Sequence, residues 1–89
     1  PVLEPGNPLD ERELVRAIRL ALSAEEDAAS LYELIADSTK DKNVKKVLQD
    51  IANEEKVHSS EFRYILKKLD PDEIKYINQG EKEIKDLTE

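Results

Sequence analysis

The chain contains two long stretches in which apolar residues recur every three or four positions, joined by a short polar break at residues 38–42. This spacing puts the recurring residues on one face of an α-helix, so each stretch predicts an amphipathic helix. A break this short forces the two helices, each roughly 40 Å long, to lie side by side and antiparallel. The sequence therefore predicts an all-α hairpin. Its two stripes consist of Leu14, Ile18, Ala21, Glu25, Ala28, Tyr32 and Ile35, and of Val44, Leu48, Ile51, Glu55, His58, Phe62, Ile65 and Leu69.

Polar residues mark the expected starts of these helices. Asp10 followed by Glu13 is a capping-box pair, which places the first helix from about residue 10 to Asp37. Asn7 before Pro8 is the alternative start. Asp41 is suited to cap the second helix, which we expect over about residues 42–69.

A third, shorter helix is expected after Asp70, with Pro71 in its first turn and Glu73 completing a capping box. We predict that this helix ends near Gly80. The chain then divides into an extended, proline-rich N-terminal arm at 1–9, the hairpin with its short third helix at 10–80, and a charged C-terminal segment at 81–89. That last segment is either a further helical turn or a frayed tail.

The composition excludes several classes of function. A net charge of −7, with no basic patch interleaved with aromatic residues, disfavours nucleic acid as a partner and suits the concentration of cations. The absence of cysteine excludes disulfides, iron–sulfur clusters and rubredoxin-type iron sites within this chain. No apolar run approaches the roughly 20 residues of a membrane span, so we expect a soluble, cytoplasmic protein. Because the chain starts at Pro1 and lacks methionine, we expect a processed or trimmed product.

Three ionisable side chains occupy stripe positions where helical packing favours hydrophobic residues. They are Glu25 on the first helix and Glu55 and His58 on the second. Burying a carboxylate is costly unless it is paired or binds a metal. A lone histidine on an apolar stripe is more often a hydrogen-bonded core residue. The coincidence of all three on one seam instead favours a cation held between the helices.

Glu55 and His58 form an E-x-x-H sequence, whose first and last side chains project side by side from a helix. Glu25 should lie within about one turn, 5.4 Å, of the height of Glu55 across the hairpin. Two symmetric copies would supply four carboxylates and two histidines, which is the ligand set of di-iron and di-manganese carboxylate bundles. Such ligands, without thiolate, favour iron or manganese over zinc or copper.

The first helix is apolar on more than one face, because Leu20, Leu31 and Leu34 lie away from the stripe through Glu25. A lone hairpin would expose this surface to water. We therefore expect a two-fold dimer in which two hairpins form a four-helix bundle, with a further face left for contacts between dimers.

Residues around the three ligands each admit two interpretations. Tyr32, seven positions after Glu25, is either a phenol beside the metals or a core aromatic residue with a partnered hydroxyl. Glu26 and Asp27 either guide ions towards the site or are solvated acids, and the second interpretation is favoured for Glu26. Glu61 is either a hydrogen-bond partner of a ligand or an exposed acid, and exposure is favoured.

Over roughly residues 10–88 the chain resembles the encapsulated ferritins of the ferritin-like superfamily. The resemblance depends on Glu25, Tyr32, Glu55 and His58, on the thirty-residue step between the two glutamates, and on Phe62 after the run of residues 52–58. It implies a two-helix half-ferritin whose dimer holds a ferroxidase centre, with two iron ions bound by Glu25, Glu55 and His58 of each copy and Tyr32 nearby. It also implies a decameric ring, a pentamer of dimers, packaged inside an encapsulin nanocompartment.

The chain departs from the family pattern at two places. Around the first ligand, the family carries two acids and a tryptophan where metal enters; the matching positions here hold Ala24, Asp27 and Leu31, which leaves Asp27 as the candidate uptake residue. The Gly- and Leu-rich tail that docks family members to encapsulin is replaced by the charged residues 81–89. The chain is thus a trimmed product, a domain of an encapsulin fusion of the kind found in some archaea, or a protein that docks otherwise.

The ligand pattern together with the resemblance predicts a ferroxidase of an iron-storage system that oxidises Fe²⁺ to Fe³⁺ with dioxygen or peroxide. Manganese is the alternative metal. Two other enzymes on the same scaffold remain open, a rubrerythrin-like peroxidase and a di-manganese catalase. The non-enzymatic alternative is a helical oligomerisation module whose seam acids are protonated or paired with lysines.

Overall fold

The computed structural model describes residues 3–89, which form three α-helices and, within that range, no strand. The helices are α1 (Glu11–Ser38), α2 (Lys42–Leu69) and α3 (Glu73–Thr88). This confirms the predicted all-α class and the hairpin of two 28-residue helices. Residues 3–9 precede α1 as non-helical chain, while the first two residues of the predicted arm lie outside the described range.

Side-chain caps start both hairpin helices where the sequence predicts them. The Asp10 carboxylate accepts from the Glu13 amide at 2.7 Å, and the Glu13 carboxylate accepts from the Asp10 amide at 3.1 Å. Asp41 accepts from the amides of Asn43 and Val44 at 2.9 and 3.1 Å. Each cap satisfies amides that the helix itself leaves without partners and contributes about 1 kcal/mol.

Small side chains form the contact between α1 and α2. Ala29 and Ala36 of α1 and Ala52 and Ser59 of α2 are buried there, with Leu66 the one larger buried residue in the described range. The Ser59 hydroxyl donates to the Glu55 carbonyl at 3.0 Å, so its burial leaves no unsatisfied polar atom. Because these residues are small, the two helices approach closely along their length.

Two ion pairs cross the hairpin at its edge. Lys56 donates to Glu33 at 3.1 Å, and Arg63 pairs with Glu26. Glu26 is therefore a surface acid with a cationic partner, in agreement with the interpretation favoured from sequence. Pairs this exposed contribute at most about 1 kcal/mol each, so packing rather than charge holds the hairpin together.

The start of α3 differs from the prediction. Asp70 terminates α2 as its C-cap, Pro71 and Asp72 form a turn, and Asp72 is the N-cap of α3 without a side-chain capping bond. The predicted capping box between Asp70 and Glu73 is wrong, because both carboxylates instead bind the Arg19 guanidinium of α1 at 3.0 Å. The other oxygen of the Asp70 carboxylate accepts from the Asp72 amide at 3.2 Å, within the turn that precedes α3.

The end of α3 also differs, since the helix continues through Gly80 to Thr88 rather than stopping near Gly80. Residues 81–89 are thus mostly the second half of this helix. Gly80 does not take the positive φ that ends many helices and stays helical. Two ion pairs four residues apart, Lys82–Asp86 at 2.7 Å and Glu81–Lys85 at 2.9 Å, support the continuation by roughly 0.2–0.5 kcal/mol each.

The molecule is flat and bent, with dimensions of 50 × 45 × 18 Å. A hairpin roughly 40 Å long accounts for only one of the two large dimensions, so α3 projects sideways from it. None of the helices in the described range combines the length and the apolar character needed to cross a bilayer.

Candidate metal centre

The structure brings together the three residues that the sequence singled out. Glu25 projects from α1, and Glu55 and His58 project from neighbouring turns of α2. The His58 Nδ1 atom lies 3.7 Å from Glu25 Oε2 and 3.6 Å from Glu55 Oε2. One ligand atom from each residue falls within 4.8 Å of the other two.

The two distances that involve His58 suit atoms that share one cation. Nitrogen and oxygen ligands sit about 2.0–2.2 Å from a first-row divalent ion, which puts two ligands of the same ion at most about 4.4 Å apart. The two distances to His58, 3.6 and 3.7 Å, lie inside that limit without rearrangement of the backbone. No ordinary hydrogen bond joins the imidazole to either carboxylate at this separation.

The three candidate ligands differ in exposure. The side chain of Glu55 is 19% exposed, that of Glu25 is 27% exposed, and that of His58 is 51% exposed. Glu55 therefore lies deepest between the helices and His58 lies nearest to solvent. Within the described residues, no lysine or arginine forms an ion pair with Glu25 or Glu55. Two adjacent, partly buried carboxylates that lack a lysine or arginine partner are chemically suited to hold a divalent ion.

The site opens onto a hollow on the outside of the hairpin. Its walls consist of Glu25, His58, Glu61, Phe62 and Ile65. Apolar residues of the same α2 face, Val47 and Ile65, are also exposed. A single chain thus presents the three candidate ligands on an open face with apolar surroundings, rather than in a closed metal cage.

Two further predicted site residues lie outside this group of three. Tyr32 is half-buried seven residues after Glu25, roughly 10 Å further along α1 at about 1.5 Å per residue. Asp27 is exposed and leaves α1 about 200° around the helix from Glu25, so it does not share the ligands' face. Their roles at the metal site and in metal uptake remain predictions.

Glu61 lies beside the three candidate ligands. It is exposed, as expected, but it also forms part of the wall of the hollow beside Glu25 and His58. The available signal was its position three residues after His58, which places the two side chains side by side on α2.

Comparison with known proteins identifies the family to which the chain belongs. The rubrerythrin family model matches residues 17–88. The ferritin-like–encapsulin shell fusion protein of Pyrococcus furiosus is 44% identical over 87 residues, 98% of this chain and 25% of that protein. The encapsulin nanocompartment cargo protein EncC of Myxococcus xanthus is 33% identical over 72 residues, 81% of this chain and 55% of that protein. The chain therefore spans about a quarter and about half of the lengths of these two relatives.

A solved structure agrees with these matches. The crystal structure of the encapsulated ferritin domain from Pyrococcus furiosus superposes with a TM-score of 0.88 at 41% identity, covering 98% of this chain and 89% of that one. Sequence and fold agree over nearly the whole length of both domains. The chain accordingly belongs to the rubrerythrin family of ferritin-like proteins, as a domain of the encapsulated-ferritin type.

Proposed function

We propose that this chain is a ferroxidase domain of an iron-storage system. Two copies pair through their open faces into a four-helix bundle, and Glu25, Glu55 and His58 of each copy bind two Fe²⁺ ions between them. The observation that carries this proposal is the convergence of one ligand atom from each of the three residues within 4.8 Å on an open face. Iron is the substrate, and Tyr32 is proposed to lie near the paired ions.

The doubled ligand set suits oxidation because of its charge. Two copies of the site contain four carboxylates and two imidazoles. Four negative charges balance two Fe²⁺ ions and interact more strongly with two Fe³⁺ ions, since Coulomb energy scales with the charge of the ion. The site therefore stabilises the oxidised ions relative to the reduced ones. Neutral imidazoles complete the ligand set without adding charge.

Two Fe²⁺ ions held in one site supply the two electrons that the oxidant takes up. Two Fe²⁺ ions release two electrons, which with two protons reduce dioxygen to hydrogen peroxide. With peroxide as the oxidant, the same two electrons and two protons give two molecules of water. Both balances need two ions in one site, which a dimer supplies and a single hairpin does not.

The assembly is proposed from the relatives. The Pyrococcus furiosus relative is named as a fusion to an encapsulin shell, and the Myxococcus xanthus relative is named as encapsulin cargo. We propose that this chain likewise works with an encapsulin shell in the cytoplasm, as a dimer within a decamer. The shell then receives the Fe³⁺ that the open hairpins cannot enclose.

The charge pattern argues against the purely structural alternative. An oligomerisation module with lysine-paired seam acids requires cations beside Glu25 and Glu55. Among the described residues, lysines instead pair at other positions, such as Lys56 with Glu33. Glu25 and Glu55 instead have His58 as their close basic neighbour.

Variants of the two α2 ligands test the ferroxidase directly. We expect Glu55→Gln and His58→Ala each to lower the rate of aerobic Fe²⁺ oxidation by at least roughly 100-fold, because removing a transition-metal ligand typically costs more than the 10–100-fold seen for its outer partners. Glu54→Gln removes the same charge one residue away, outside the ligand group, and should keep activity near that of the unaltered protein. Undiminished oxidation by Glu55→Gln would refute the assignment.

The same preparation separates the alternative enzymes. A ferroxidase accumulates Fe³⁺ in proportion to the Fe²⁺ supplied. Turnover of hydrogen peroxide without net oxidation of added iron would instead favour a peroxidase or a di-manganese catalase. Protein purified without chelator and free of iron and manganese, and unable to bind either, would favour the structural module.

A further inference from the structure

We infer that α3 is an assembly arm, whose apolar side packs against a lysine-rich surface at the start of α2 in a second copy. That surface, the lysine hollow, has a lining that includes Lys42, Lys45, Lys46, Gln49 and Asn53. The inference extends the assembly part of the proposed function, because it names a contact between copies other than the one through the open face. It depends neither on which metal binds nor on oxidation.

The first argument is that α3 receives little support from its own chain. The structure describes every residue of α3, and none of them is buried. At about 100° per residue, its four aliphatic side chains fall within about 140° of the helix circumference and form one apolar stripe. They are between 47% and 86% exposed: Ile74, Ile77, Ile84 and Leu87. A helix of 16 residues without packed side chains is only marginally stable in water, so the stripe needs a partner.

The second argument is the glycine within this stripe. Gly80 lies at an angle between Ile84 and Leu87, and it is helical without a positive φ. A glycine inside a helix destabilises it relative to alanine. A Cβ atom at this position would meet nothing within 4 Å in the chain itself. A single chain therefore gives no reason for glycine here, whereas the close approach of a second helix does.

The third argument is that the lysine hollow is an unusual surface in a protein with a net charge of −7. Within residues 3–89, no acid lies at ion-pair distance from its three lysines, although Asp50 is also part of its lining. Four other lysines each have an acidic partner: Lys56, Lys75, Lys82 and Lys85. Lys42 also lies in the first turn of α2, where the helix dipole disfavours cations and no acid is present. A single chain gains nothing from this cluster, which suits a negatively charged partner.

The lysine hollow lies on a different side of α2 from the candidate metal ligands. Its three lysines leave the helix about 120° to 160° around from His58. Pairing of two chains through their open faces therefore does not cover the hollow. It stays available for a second, separate contact.

α3 carries the charge that matches the hollow. Glu81 and Glu83 flank the second half of the stripe, one on each side. In the described chain Glu83 has no cation at ion-pair distance, and Glu81 pairs only with Lys85 of its own helix. The four-carbon stems of the lysines offer apolar surface to the stripe, while their ammonium groups can reach the acids beside it.

The hollow that α3 reaches belongs to another copy. α3 follows the end of α2, whereas the hollow is roughly 40 Å away at the other end of the hairpin. The arm is roughly 24 Å long and projects sideways, so it does not reach the hollow of its own chain. Because the contact joins two different surfaces, each copy gives its arm to one neighbour and receives an arm from another. Contacts of this kind build rings when their rotation closes.

The first experiment reverses the charges on the two sides of the contact. Lys42→Glu with Lys46→Glu, and Glu81→Lys with Glu83→Lys, each place like charges across it. A chain with all four changes restores opposite charges. Light scattering with saturating Co²⁺ measures the mass of the assembly over a range of protein concentrations. We expect the unaltered protein and the four-fold variant to form assemblies larger than a dimer, and each two-fold variant to need at least roughly ten-fold more protein to do so.

The second experiment fills the space that Gly80 leaves open. Gly80→Leu raises the helix propensity of α3, so a loss of assembly cannot come from unfolding of the arm. The added side chain should hold the neighbouring helix away, and the assembly should stop at the dimer. Gln79→Leu adds the same side chain at an exposed position outside the stripe, and it should keep the mass of the unaltered protein.

Three results would each overturn the assembly arm. They are an unaltered protein no larger than a dimer, an unaltered mass in Gly80→Leu, and a four-fold variant that does not regain the larger mass. An unaltered mass in Gly80→Leu would assign the stripe to a partner other than this chain. The variants leave Glu25, Glu55 and His58 intact, so the amount of Co²⁺ bound per chain should be the same in all of them. Failure of the unaltered protein to bind Co²⁺ would overturn the metal site alone, since the masses would still decide on the arm.

Discussion

The two faces of the hairpin have opposite chemistry. The face between α1 and α2 is closed by Ala29, Ala36, Ala52 and Ser59, which are small, uncharged and buried. The open face carries Glu25, Glu55 and His58 among half-exposed apolar residues. The closed face therefore stabilises the single chain, while the open face leaves its candidate ligands and its apolar surface for the second copy and the cation that we propose. The contrast separates residues whose substitution unfolds the chain from residues whose substitution alters binding.

The largest effect is expected on the closed face. Ala52 is fully buried, at 0% exposure, so Ala52→Leu inserts three carbon atoms where the helices touch. Overpacking of this kind costs about 1–3 kcal/mol, which lowers the melting temperature of a domain this size by roughly 4–8 °C for each kcal/mol. Calorimetry on chelator-treated protein measures the change. Ser23→Leu, on an exposed position of α1, is the matched control and should shift the melting temperature little.

An unaltered melting temperature in Ala52→Leu would mean that the two helices can move apart without a loss in the free energy of unfolding. The closed face would then not be the stabilising one, and the distinction between the two faces would fail.

A smaller effect of opposite sign is expected on the open face. Glu25→Leu removes like-charge repulsion beside Glu55 and adds apolar surface, so the metal-free protein should gain about 1 kcal/mol in its free energy of unfolding. With Co²⁺ at 100 times its dissociation constant, the unaltered protein should become the more stable of the two. Binding stabilises only the unaltered protein, by about 2.7 kcal/mol. Denaturant titrations with chelator and with Co²⁺ measure both values. Destabilisation of the metal-free protein by Glu25→Leu would show that Glu25 is structural.

The smallest effect is expected at the junction with α3. Arg19 binds Asp70 and Glu73 while about half of its side chain is exposed, so the pair of contacts is worth roughly 0.5–1 kcal/mol. Arg19→Gln should speed hydrogen exchange of the first turns of α3 by about two- to five-fold and leave α1 and α2 unchanged. Arg16→Gln, an exposed arginine one turn earlier, is the control. If the amides of α3 exchanged equally slowly in both variants, Arg19 would not be what holds the start of α3 in place.

Local rules made the hairpin predictable from sequence. The capping residues Asp10 and Asp41 act on amides two or three positions away, and the three-four spacing acts within one helix. The proximity of Glu25, Glu55 and His58 was predictable for the same reason, since a short loop fixes which turns face each other. Sequence pattern and tertiary structure agree wherever the partners are close along the chain.

The features that sequence missed depend on distant partners. Asp70 was expected to cap α3, but Arg19, 51 residues away, competes for its carboxylate. Gly80 was expected to end α3, yet Ile77 and Ile84 on either side continue the apolar spacing and the charged pairs that follow sustain the helix. The position of Glu61 in the wall of the hollow depends on how α1 packs against α2, which no single-helix pattern specifies.

The most direct test of the central claim is a crystal of the protein soaked in Fe²⁺ without oxygen, with anomalous scattering recorded on both sides of the iron absorption edge. The account predicts two iron ions on a two-fold axis between two hairpins, each within about 2.0–2.4 Å of ligand atoms from Glu25, Glu55 and His58. Paired hairpins whose three residues face solvent, with no anomalous peak at the two-fold axis, would contradict it.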